Sequence, residues 1–255
     1  MIMSDLKNMA GKAALVTGAA SGLGRATALK FADAGANLFL VDVNADGLAE
    51  TKSHIKNDAV KVATHTANLT DPAACESTVA AAVSACGRLD ALCNVAGIIK
   101  FANSHTMPME DWQLTLAINL TAPFALSRAA IPHLLEANGA IVNVASSAAF
   151  IGEAYAAAYC ASKAGLVNLT KAMAMEYMRK PIRINAVAPG GMMTNIAGNM
   201  SIPDGVDPEL MSRYRPMRGL VDVEDVADLI LMLASPAGRG YHGACLSIDA
   251  GITAG

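Results

Sequence analysis

The chain has 255 residues and a formal net charge of −3, and 53% of its residues are hydrophobic while 16% are charged. This balance excludes a disordered chain and offers no basic surface for a nucleic-acid backbone. The five cysteines contain no C-x-x-C pair, and the N-terminus has no apolar signal segment, so we expect a cytoplasmic protein with reduced thiols. The longest uncharged stretch, residues 184–203, contains proline, glycine and asparagine residues, so no membrane span is predicted.

Short apolar runs alternate with helix-length segments along the whole sequence. Strands are predicted at residues 13–17, 37–43, 61–66, 91–94, 139–144, 182–188 and 246–248. Helices are predicted at residues 22–34, 45–56, 72–86, 109–135, 155–178 and 223–233. Strands that are apolar throughout need a sheet covered on both faces, and this alternation implies right-handed crossovers. We therefore predict an α/β fold, a doubly wound parallel sheet of about seven strands in one domain over residues 1–255.

Residues 191–218 fit neither pattern. They combine methionines, prolines and charges of both signs, and we expect a long insertion over one edge of the sheet. Insertions of this length are typically lids or disordered loops.

A glycine-rich turn follows the first predicted strand. Residues 17–24 have the sequence Thr-Gly-Ala-Ala-Ser-Gly-Leu-Gly and lead into a predicted helix. Glycines permit a sharp turn and let the backbone approach a pyrophosphate at the helix N-terminus. The spacing differs from G-x-G-x-x-G, so an ordinary tight turn stays open unless other features support a dinucleotide site.

Asp42 provides such a feature, because it ends the second predicted strand, 18 residues after Gly24. A carboxylate there can accept hydrogen bonds from both ribose hydroxyls of an adenosine and would repel a 2′-phosphate. Val43 and Asn44 are not basic, while Arg25 is expected to meet solvent or a phosphate. The pattern favours NAD over NADP, with a solvated loop acid as the alternative for Asp42.

Tyr159 and Lys163 are four residues apart in a predicted helix, so their side chains share one face. A free phenol has a pKa near ~10, and a nearby ammonium favours the tyrosinate that a base at neutral pH requires. Ser146, 13 residues before Tyr159, can donate a hydrogen bond to a substrate oxygen. Ser147 is the alternative after a shift of one residue. The tyrosine–lysine pair becomes specific only in combination with the glycine turn.

This combination resembles the short-chain dehydrogenase/reductase family over essentially the whole chain. Further landmarks appear in order at residues 94–97, 119–120, 144–146, 183–190 and 248–251. Cys93 replaces the first asparagine of the family's Asn-Asn-Ala-Gly strand end, and Ala250 replaces a glycine of the closing motif. Asn68 stands where the family has an aspartate that holds the adenine, and it keeps the acceptor oxygen.

The resemblance implies roles for individual residues. Asn119, Ser146, Tyr159 and Lys163 would be catalytic; Lys163 would also hold the nicotinamide ribose, and Asn119 would help position a water in a proton relay. The remaining cofactor contacts would be Gly18, Ser21, Gly22, Leu23, Gly24, Asp42, Val43, Asn68, Leu69, Asn94, Ala96, Gly97, Pro189, Gly190, Met192 and Thr194. Residues 191–218 would form a substrate lid, and the two long helices would pair between subunits of a homotetramer.

The expected function is an NAD-dependent oxidoreductase that transfers a hydride between NAD(H) and a secondary alcohol or ketone, with Tyr159 as general acid/base. The substrate residues would be Ser146, Phe150, Tyr155, Met192 and Met193, with packing as the alternative role of Tyr155. Together with Ile98, the apolar members of this set suggest a small, uncharged and partly apolar substrate. The five histidines have no metal-binding spacing. The alternatives are an NADP-dependent 3-oxoacyl carrier-protein reductase and a dinucleotide-sensing protein without turnover.

Overall fold

The computed structural model describes residues 7–193, 203–214, 216 and 218–254. These residues form one seven-stranded parallel sheet with the spatial order β3-β2-β1-β4-β5-β6-β7. The strands are β1 (Ala13–Thr17), β2 (Asn37–Asp42), β3 (Val62–Thr66), β4 (Ala91–Asn94), β5 (Ala140–Val144), β6 (Arg183–Pro189) and β7 (Cys245–Ile248). The predicted fold class, an α/β doubly wound parallel sheet, is confirmed.

Helices cover both faces of the sheet. They are α1 (Gly22–Asp33), α2 (Ala45–His54), α3 (Pro72–Cys86), α4 (Met109–Leu116), α5 (Ala122–Ala137), α6 (Ala157–Glu176), α7 (Pro208–Ser212) and α8 (Val223–Ala234). A π-helical turn (Ala117–Thr121) joins α4 to α5. Two short 3-10 turns lie at Ser147–Ala149 and Pro236–Gly238.

Two apolar cores lie on opposite faces of the sheet because successive strand residues point to opposite sides. Val16 belongs to the core that contains Phe31 of α1 and Ile230 of α8. Its neighbour Leu15 belongs to the core that contains Leu126 of α5. The central strands β1, β2 and β4 are therefore largely apolar, as the sequence pattern predicts, whereas the edge strand β3 includes Thr64, His65 and Thr66.

The sheet order reverses at β1, whose neighbours are β2 and β4. The connection that follows β1 leads toward β2 on one side, and the connection that follows β4 leads toward β5 on the other side. A crevice therefore opens at the carboxyl ends of β1 and β4. The glycine turn after β1 and the segment after β4 both border this crevice.

The prediction of one continuous helix over residues 109–135 is wrong in one respect, because a π turn interrupts the helix. The Ala122 N–H donates to the Ala117 carbonyl five residues back. A π turn inserts one extra residue and changes the direction in which neighbouring side chains point. The stretch Met109–Ala137 is long enough to cross a membrane, and an 18-residue window within it has a mean hydropathy of 1.3, yet half of that window is buried within the fold.

The start of helix α6 and the content of residues 191–218 also differ from the prediction. Helix α6 begins at Ala157 instead of 155, because Tyr155 has a left-handed backbone with φ 67°. Within residues 191–218, the described part contains regular structure: the Asp207 side chain caps α7 by accepting hydrogen bonds from the Glu209 and Leu210 N–H groups. Met192 forms a parallel bridge with Val221.

Asp90 joins the N-terminal ends of β1 and β4. Its carboxylate accepts hydrogen bonds from the Ala13 N–H at 2.9 Å and from Arg88 at 2.7 Å, and the residue is 3% exposed. We expect Asp90→Ala to lower the free energy of unfolding by about 2–3 kcal/mol, because the Ala13 N–H loses its partner inside the fold. Urea unfolding followed by circular dichroism measures this loss. Glu76→Ala, which breaks the exposed ion pair with Arg128, is the control with a much smaller effect; equal losses would contradict the prediction.

Candidate active site

A cleft of about 270 Å³ lies at the carboxyl edge of the sheet, where β1 and β4 diverge. It brings together most of the residues that the sequence suggested for cofactor and catalysis. They are Gly18, Ser21, Gly22, Leu23, Gly24, Asp42, Val43, Leu69, Ala96, Gly97, Ser146, Tyr159, Lys163, Pro189, Gly190 and Met192. Thr194 lies outside the described residues.

The glycine turn packs directly on neighbouring backbone. Gly18 has φ 68°, and a Cβ atom there would lie 2.9 Å from the Cα of Ala96. A Cβ atom on Gly24 would lie 2.0 Å from the Gly18 carbonyl oxygen. Thr17 braces this contact, because its hydroxyl oxygen accepts hydrogen bonds from the Val95 and Ala96 N–H groups, each at 3.0 Å. Glycine is therefore required at both positions, because the turn packs so tightly on protein backbone that no side chain fits between them.

Helix α1 begins at this turn with free backbone donors. Its N-cap residue, Ser21, makes no side-chain cap hydrogen bond, and no acidic residue lies in the first turn. The first N–H groups of a helix have no partner within the helix, and they carry its positive dipole end. This end of the cleft can therefore receive the phosphates of a dinucleotide.

The carboxylate of Asp42 is fixed at the opposite side of the turn. One oxygen accepts a hydrogen bond from the Ala20 N–H at 3.1 Å, and the other accepts one from the Asn44 N–H at 3.0 Å. Two backbone donors thus hold the acid at the rim of the cleft, next to the exposed Val43. Its remaining acceptor positions can take the two hydroxyls of a ribose.

Tyr159 and Lys163 lie one turn apart on α6 and both face the cleft. The Lys163 Nζ lies 5.7 Å from the centroid of the Tyr159 ring and donates a hydrogen bond to the Val144 carbonyl at 2.8 Å. Lys163 is 3% exposed, and burial lowers the pKa of its ammonium to about 8. Lys163 therefore lies one helical turn from the phenol of Tyr159, and a carbonyl group at the end of β5 accepts a hydrogen bond from its ammonium.

Burial raises the pKa of Tyr159 to about 12, and a hydrogen bond with Ser146 offsets part of that rise. The negative charge of Glu153 adds to the rise in the pKa of the phenol. The sequence suggested that Lys163 would lower the pKa of the phenol, but in the structure burial is the largest influence and raises this pKa. The ammonium is turned toward the Val144 carbonyl instead of forming a direct bond to the phenol oxygen.

Asn119 lies in the π turn and braces the cleft from behind. Its Oδ1 accepts a hydrogen bond from the Ile98 N–H at 2.9 Å, and its Nδ2 donates to the Ile98 carbonyl and to the Ser162 hydroxyl. The Ser162 hydroxyl donates to the Tyr159 carbonyl at 2.7 Å. Asn119 is fully buried, so its side chain connects the segment after β4 to the helix that carries Tyr159.

Two asparagines suggested as cofactor contacts have their side chains engaged elsewhere. The Asn94 amide donates to the Asn143 side chain at 2.8 Å, which in turn donates to Thr170, so Asn94 belongs to a buried network among β4, β5 and α6. The Oδ1 of the exposed Asn68 accepts hydrogen bonds from the N–H and hydroxyl of Thr70. Ala67 and Leu69, on either side of Asn68, line the cleft instead.

The suggested substrate residues separate into two groups. Met192 and Ser146 line the cleft together with Ile98, whereas Phe150 and Met193 are 47% and 78% exposed and lie outside it. The structure does not place Tyr155 in the cleft.

Tyr155 instead joins a tyrosine clasp, formed by Tyr155 and Tyr214. The hydroxyl of Tyr155 accepts a hydrogen bond from the Asp207 N–H at 2.8 Å. The hydroxyl of Tyr214 accepts one from the Ala154 N–H and donates one to the Gly152 carbonyl. The clasp ties the segment around α7 to the loop that precedes α6.

Sequence reasoning missed several cleft residues: Ala67, Val95, Ile118, Val144 and Ala145. These are small or aliphatic residues that resemble any other core residue in a linear sequence. Ile118 lies in the π turn, and no local sequence pattern predicted that turn. The partners of Tyr214 likewise lie about 60 residues earlier in the chain.

The buried ammonium of Lys163 makes stability depend on pH. Its folded-state pKa of about 8 lies below the unfolded value near 10.5, so the unfolded chain binds more protons between these pH values and stability rises with pH there. We expect Lys163→Met to stabilise the cofactor-free protein by up to about 3 kcal/mol at pH 7, and this gain to shrink toward pH 10. Urea unfolding at several pH values measures it. Lys171→Met, at an exposed position of the same helix, is the control; a gain that does not vary with pH would contradict the prediction.

The sequence matches a family model described as enoyl-(acyl carrier protein) reductase over residues 18–253. It is 38% identical to a 2,5-dichloro-2,5-cyclohexadiene-1,4-diol dehydrogenase of Sphingobium indicum, across 97% of this chain and 98% of that protein. It is 35% identical to a D-threitol dehydrogenase of Mycolicibacterium smegmatis, across 95% of this chain and 93% of that protein. The crystal structure of a blue fluorescent protein from a metagenomic library, in complex with NADPH, matches with a TM-score of 0.86 at 29% identity, over 96% of this chain and 99% of that chain.

These matches span nearly the whole chain and include the glycine turn and the Tyr159–Lys163 pair. Such similarity across the full length goes beyond a shared sheet topology. The chain therefore belongs to the short-chain dehydrogenase/reductase family, whose members are oxidoreductases that bind a nicotinamide dinucleotide and act on small molecules.

Proposed function

We propose that this protein transfers a hydride between NAD(H) and a secondary alcohol or ketone, with Tyr159 as the general acid/base. The observation that carries this proposal is the convergence of Ser146, Tyr159 and Lys163 in the same cleft as the glycine turn and Asp42. A proton donor, a hydrogen-bond donor and a cation thus lie beside a cradle suited to phosphates.

The residues of the cleft fit a nicotinamide dinucleotide. Gly18 and Gly24 allow a tight turn at the edge of the cleft, and α1 presents the N–H groups of its first turn beside it. Asp42 offers acceptors at one end for the adenosine ribose, and Lys163 lies toward the other end. When bound, the dinucleotide supplies the hydride acceptor or donor and, in its oxidised form, a positive charge near the phenol.

The raised pKa of Tyr159 defines what this side chain does in each direction. A phenol with a pKa of about 12 is neutral at pH 7, so Tyr159 holds the proton that a reduced carbonyl must receive. In alcohol oxidation the same oxygen must first be deprotonated, which positive charge in the cleft favours. The buried ammonium of Lys163, one helical turn away, is the cation that this chain itself contributes.

Ser146 and Asn119 have supporting roles in this scheme. Ser146 lies at the end of β5 and can donate a hydrogen bond to the substrate oxygen while charge develops there. Asn119 holds the Ile98 backbone and the Ser162 hydroxyl, so it orients both the substrate end of the cleft and the helix of Tyr159. Its proposed part in a proton relay, through an ordered water, rests on the family resemblance.

The carboxylate of Asp42 supports NAD as the preferred cofactor, because an acid at the ribose rim repels a 2′-phosphate. The NADPH-bound structural neighbour and the acyl carrier-protein description of the matching family keep an NADP-dependent 3-oxoacyl-type reductase as the second candidate. The complete Ser146–Tyr159–Lys163 set argues against a sensing protein without turnover.

The substrate end of the cleft supports an uncharged, partly apolar alcohol or ketone. Ile98, Ile118 and Met192 form apolar walls beside Ser146 and Tyr159. The described residues that line the cleft include no arginine, which would suit a substrate carboxylate. The relatives named for a cyclohexadiene diol and for threitol are consistent with a small hydroxylated substrate.

We further propose a cytoplasmic homotetramer in which α5 and α6 pair between subunits. Phe124 on α5 and Met175 on α6 are large apolar residues with 44% and 71% exposure. Apolar side chains exposed on these two helices support burial against another copy.

Tyr159→Phe removes the proton donor and keeps the ring. We expect turnover to fall about 10²- to 10⁴-fold while the Kd for NAD⁺ changes less than about threefold. A panel of secondary alcohols assayed for NAD⁺ reduction at alkaline pH measures turnover, and calorimetry measures binding. Tyr241→Phe, at a partly exposed tyrosine far along the chain, is the control. Undiminished turnover of Tyr159→Phe would refute the acid/base role.

Asp42→Ala removes the charge at the ribose rim. We expect the wild type to have a higher kcat/KM with NAD⁺ than with NADP⁺, and the variant to lose at least tenfold of that preference, about 1.4 kcal/mol in relative transition-state binding. Steady-state kinetics with both cofactors and one active alcohol provide the ratio. A wild-type enzyme that favours NADP⁺ would show that the role of Asp42 has been misassigned.

A further inference from the structure

A second cavity adjoins the cleft at the adenosine end. It shares Ser21 and Gly22 with the cleft, and its other walls include Ala20, Arg25, Asn44 and Glu50. The Asp42 carboxylate lies between the two spaces. Asp42 itself lines the cleft, whereas Ala20 and Asn44, whose N–H groups donate hydrogen bonds to its carboxylate, line the second cavity. A group attached to the ribose 2′-oxygen would therefore extend from the cleft into the second cavity.

Among the described residues that line the second cavity, Arg25 carries the only positive charge. A guanidinium can bind a phosphate with two parallel hydrogen bonds, so an unpaired Arg25 would bind a 2′-phosphate. Position alone would then predict that this cavity accepts NADP(H).

The contacts of Arg25 within the protein contradict this prediction. Its Nη1 and Nη2 donate to the two carboxylate oxygens of Glu50 at 2.8 and 2.7 Å, and this bidentate pair faces the guanidinium edge that a phosphate would use. Its Nε donates to the Thr51 hydroxyl at 2.9 Å, and its Nη2 also donates to the Ala20 carbonyl at 2.6 Å. Four of the five N–H groups of the guanidinium are therefore engaged within the protein.

The anchor on Thr51 is rigid. Thr51 is fully buried, and its hydroxyl donates to the Ala19 carbonyl in the glycine turn at 2.8 Å. Arg25 thus connects α2 to the turn and cannot swing toward a phosphate without breaking the bidentate pair. The carboxylates of Asp46 and Glu50 leave the charged groups of this cavity with a net negative charge.

We propose that Glu50 is a second determinant of cofactor choice, a positioning residue that holds Arg25 away from a 2′-phosphate. This inference rests on the proposed NAD(H) dependence and adds to it. Asp42 repels the phosphate directly, whereas Glu50 occupies the guanidinium that would otherwise compensate that repulsion.

Glu50→Ala tests the proposal, since Glu50 lies on an exposed face of α2 and alanine preserves the helix. We expect the Kd for NADP⁺, measured by calorimetry, to fall about tenfold, as a charge-assisted hydrogen bond from Arg25 to the phosphate becomes possible. The Kd for NAD⁺ is expected to change far less, so the ratio of the two constants shifts. In kinetics, the change should appear in KM for NADP⁺ and leave the ratio of the kcat values for the two cofactors near its wild-type value.

Two further variants separate the proposed route from a simple change in charge. Glu76→Ala removes an exposed carboxylate that pairs with Arg128 and should leave both constants unaltered. The double variant Glu50→Ala/Arg25→Gln should lose the gain in NADP⁺ affinity, because the gain passes through Arg25. A gain that survives in the double variant would overturn the role assigned to Arg25.

The wild-type measurement distinguishes the two levels of inference. If the wild type binds NAD⁺ more tightly but Glu50→Ala leaves the Kd for NADP⁺ unchanged, the role of Glu50 is refuted and the NAD(H) proposal stands. If the wild type binds NADP⁺ more tightly, both fail.

Discussion

Burial of the Lys163 ammonium, with partial burial of the Tyr159 phenol one helical turn away, is the constraint on which the proposed chemistry of this protein depends. Burial favours the neutral form of each group, so it raises one pKa to about 12 and lowers the other to about 8. The polar partners that make this burial tolerable, the Val144 carbonyl and Ser146, come from the end of β5. The same strand end therefore supplies a hydrogen-bond partner to each of the two groups.

The adenosine end of the cleft obeys a different rule, in which backbone approach and charge decide what binds. The turn at Gly18 and Gly24 lies so close to neighbouring backbone that no side chain fits there, and the first N–H groups of α1 follow directly after it. Around that turn, Asp42, Arg25 and Glu50 form a charged rim whose cation is already paired. The shape of the turn thus suits a dinucleotide, and the proposed preference for NAD(H) rests on the arrangement of charges.

The substrate end is assembled from segments far apart in the chain. The π turn contains Ile118, which lines the cleft, and Asn119, which holds the Ile98 backbone. The tyrosine clasp joins the segment around α7 to the loop before α6 across about 60 residues of sequence. Long-range hydrogen bonds therefore hold these segments together, whereas Tyr159 and Lys163 are positioned by one helix and one strand end.

Local patterns in the sequence were enough to predict the fold class and the family. These patterns are the alternation of apolar strands with helices, the glycine turn, and the four-residue spacing of Tyr159 and Lys163. The tertiary structure decided the rest. It engaged Asn94 and Asn68 outside the cleft, exposed Phe150, and paired Arg25 with Glu50, 25 positions along the chain. It also gave the phenol a raised pKa, where spacing suggested a lowered one. Desolvation and long-range pairing depend on what surrounds a side chain in space, and linear spacing records only what precedes and follows it.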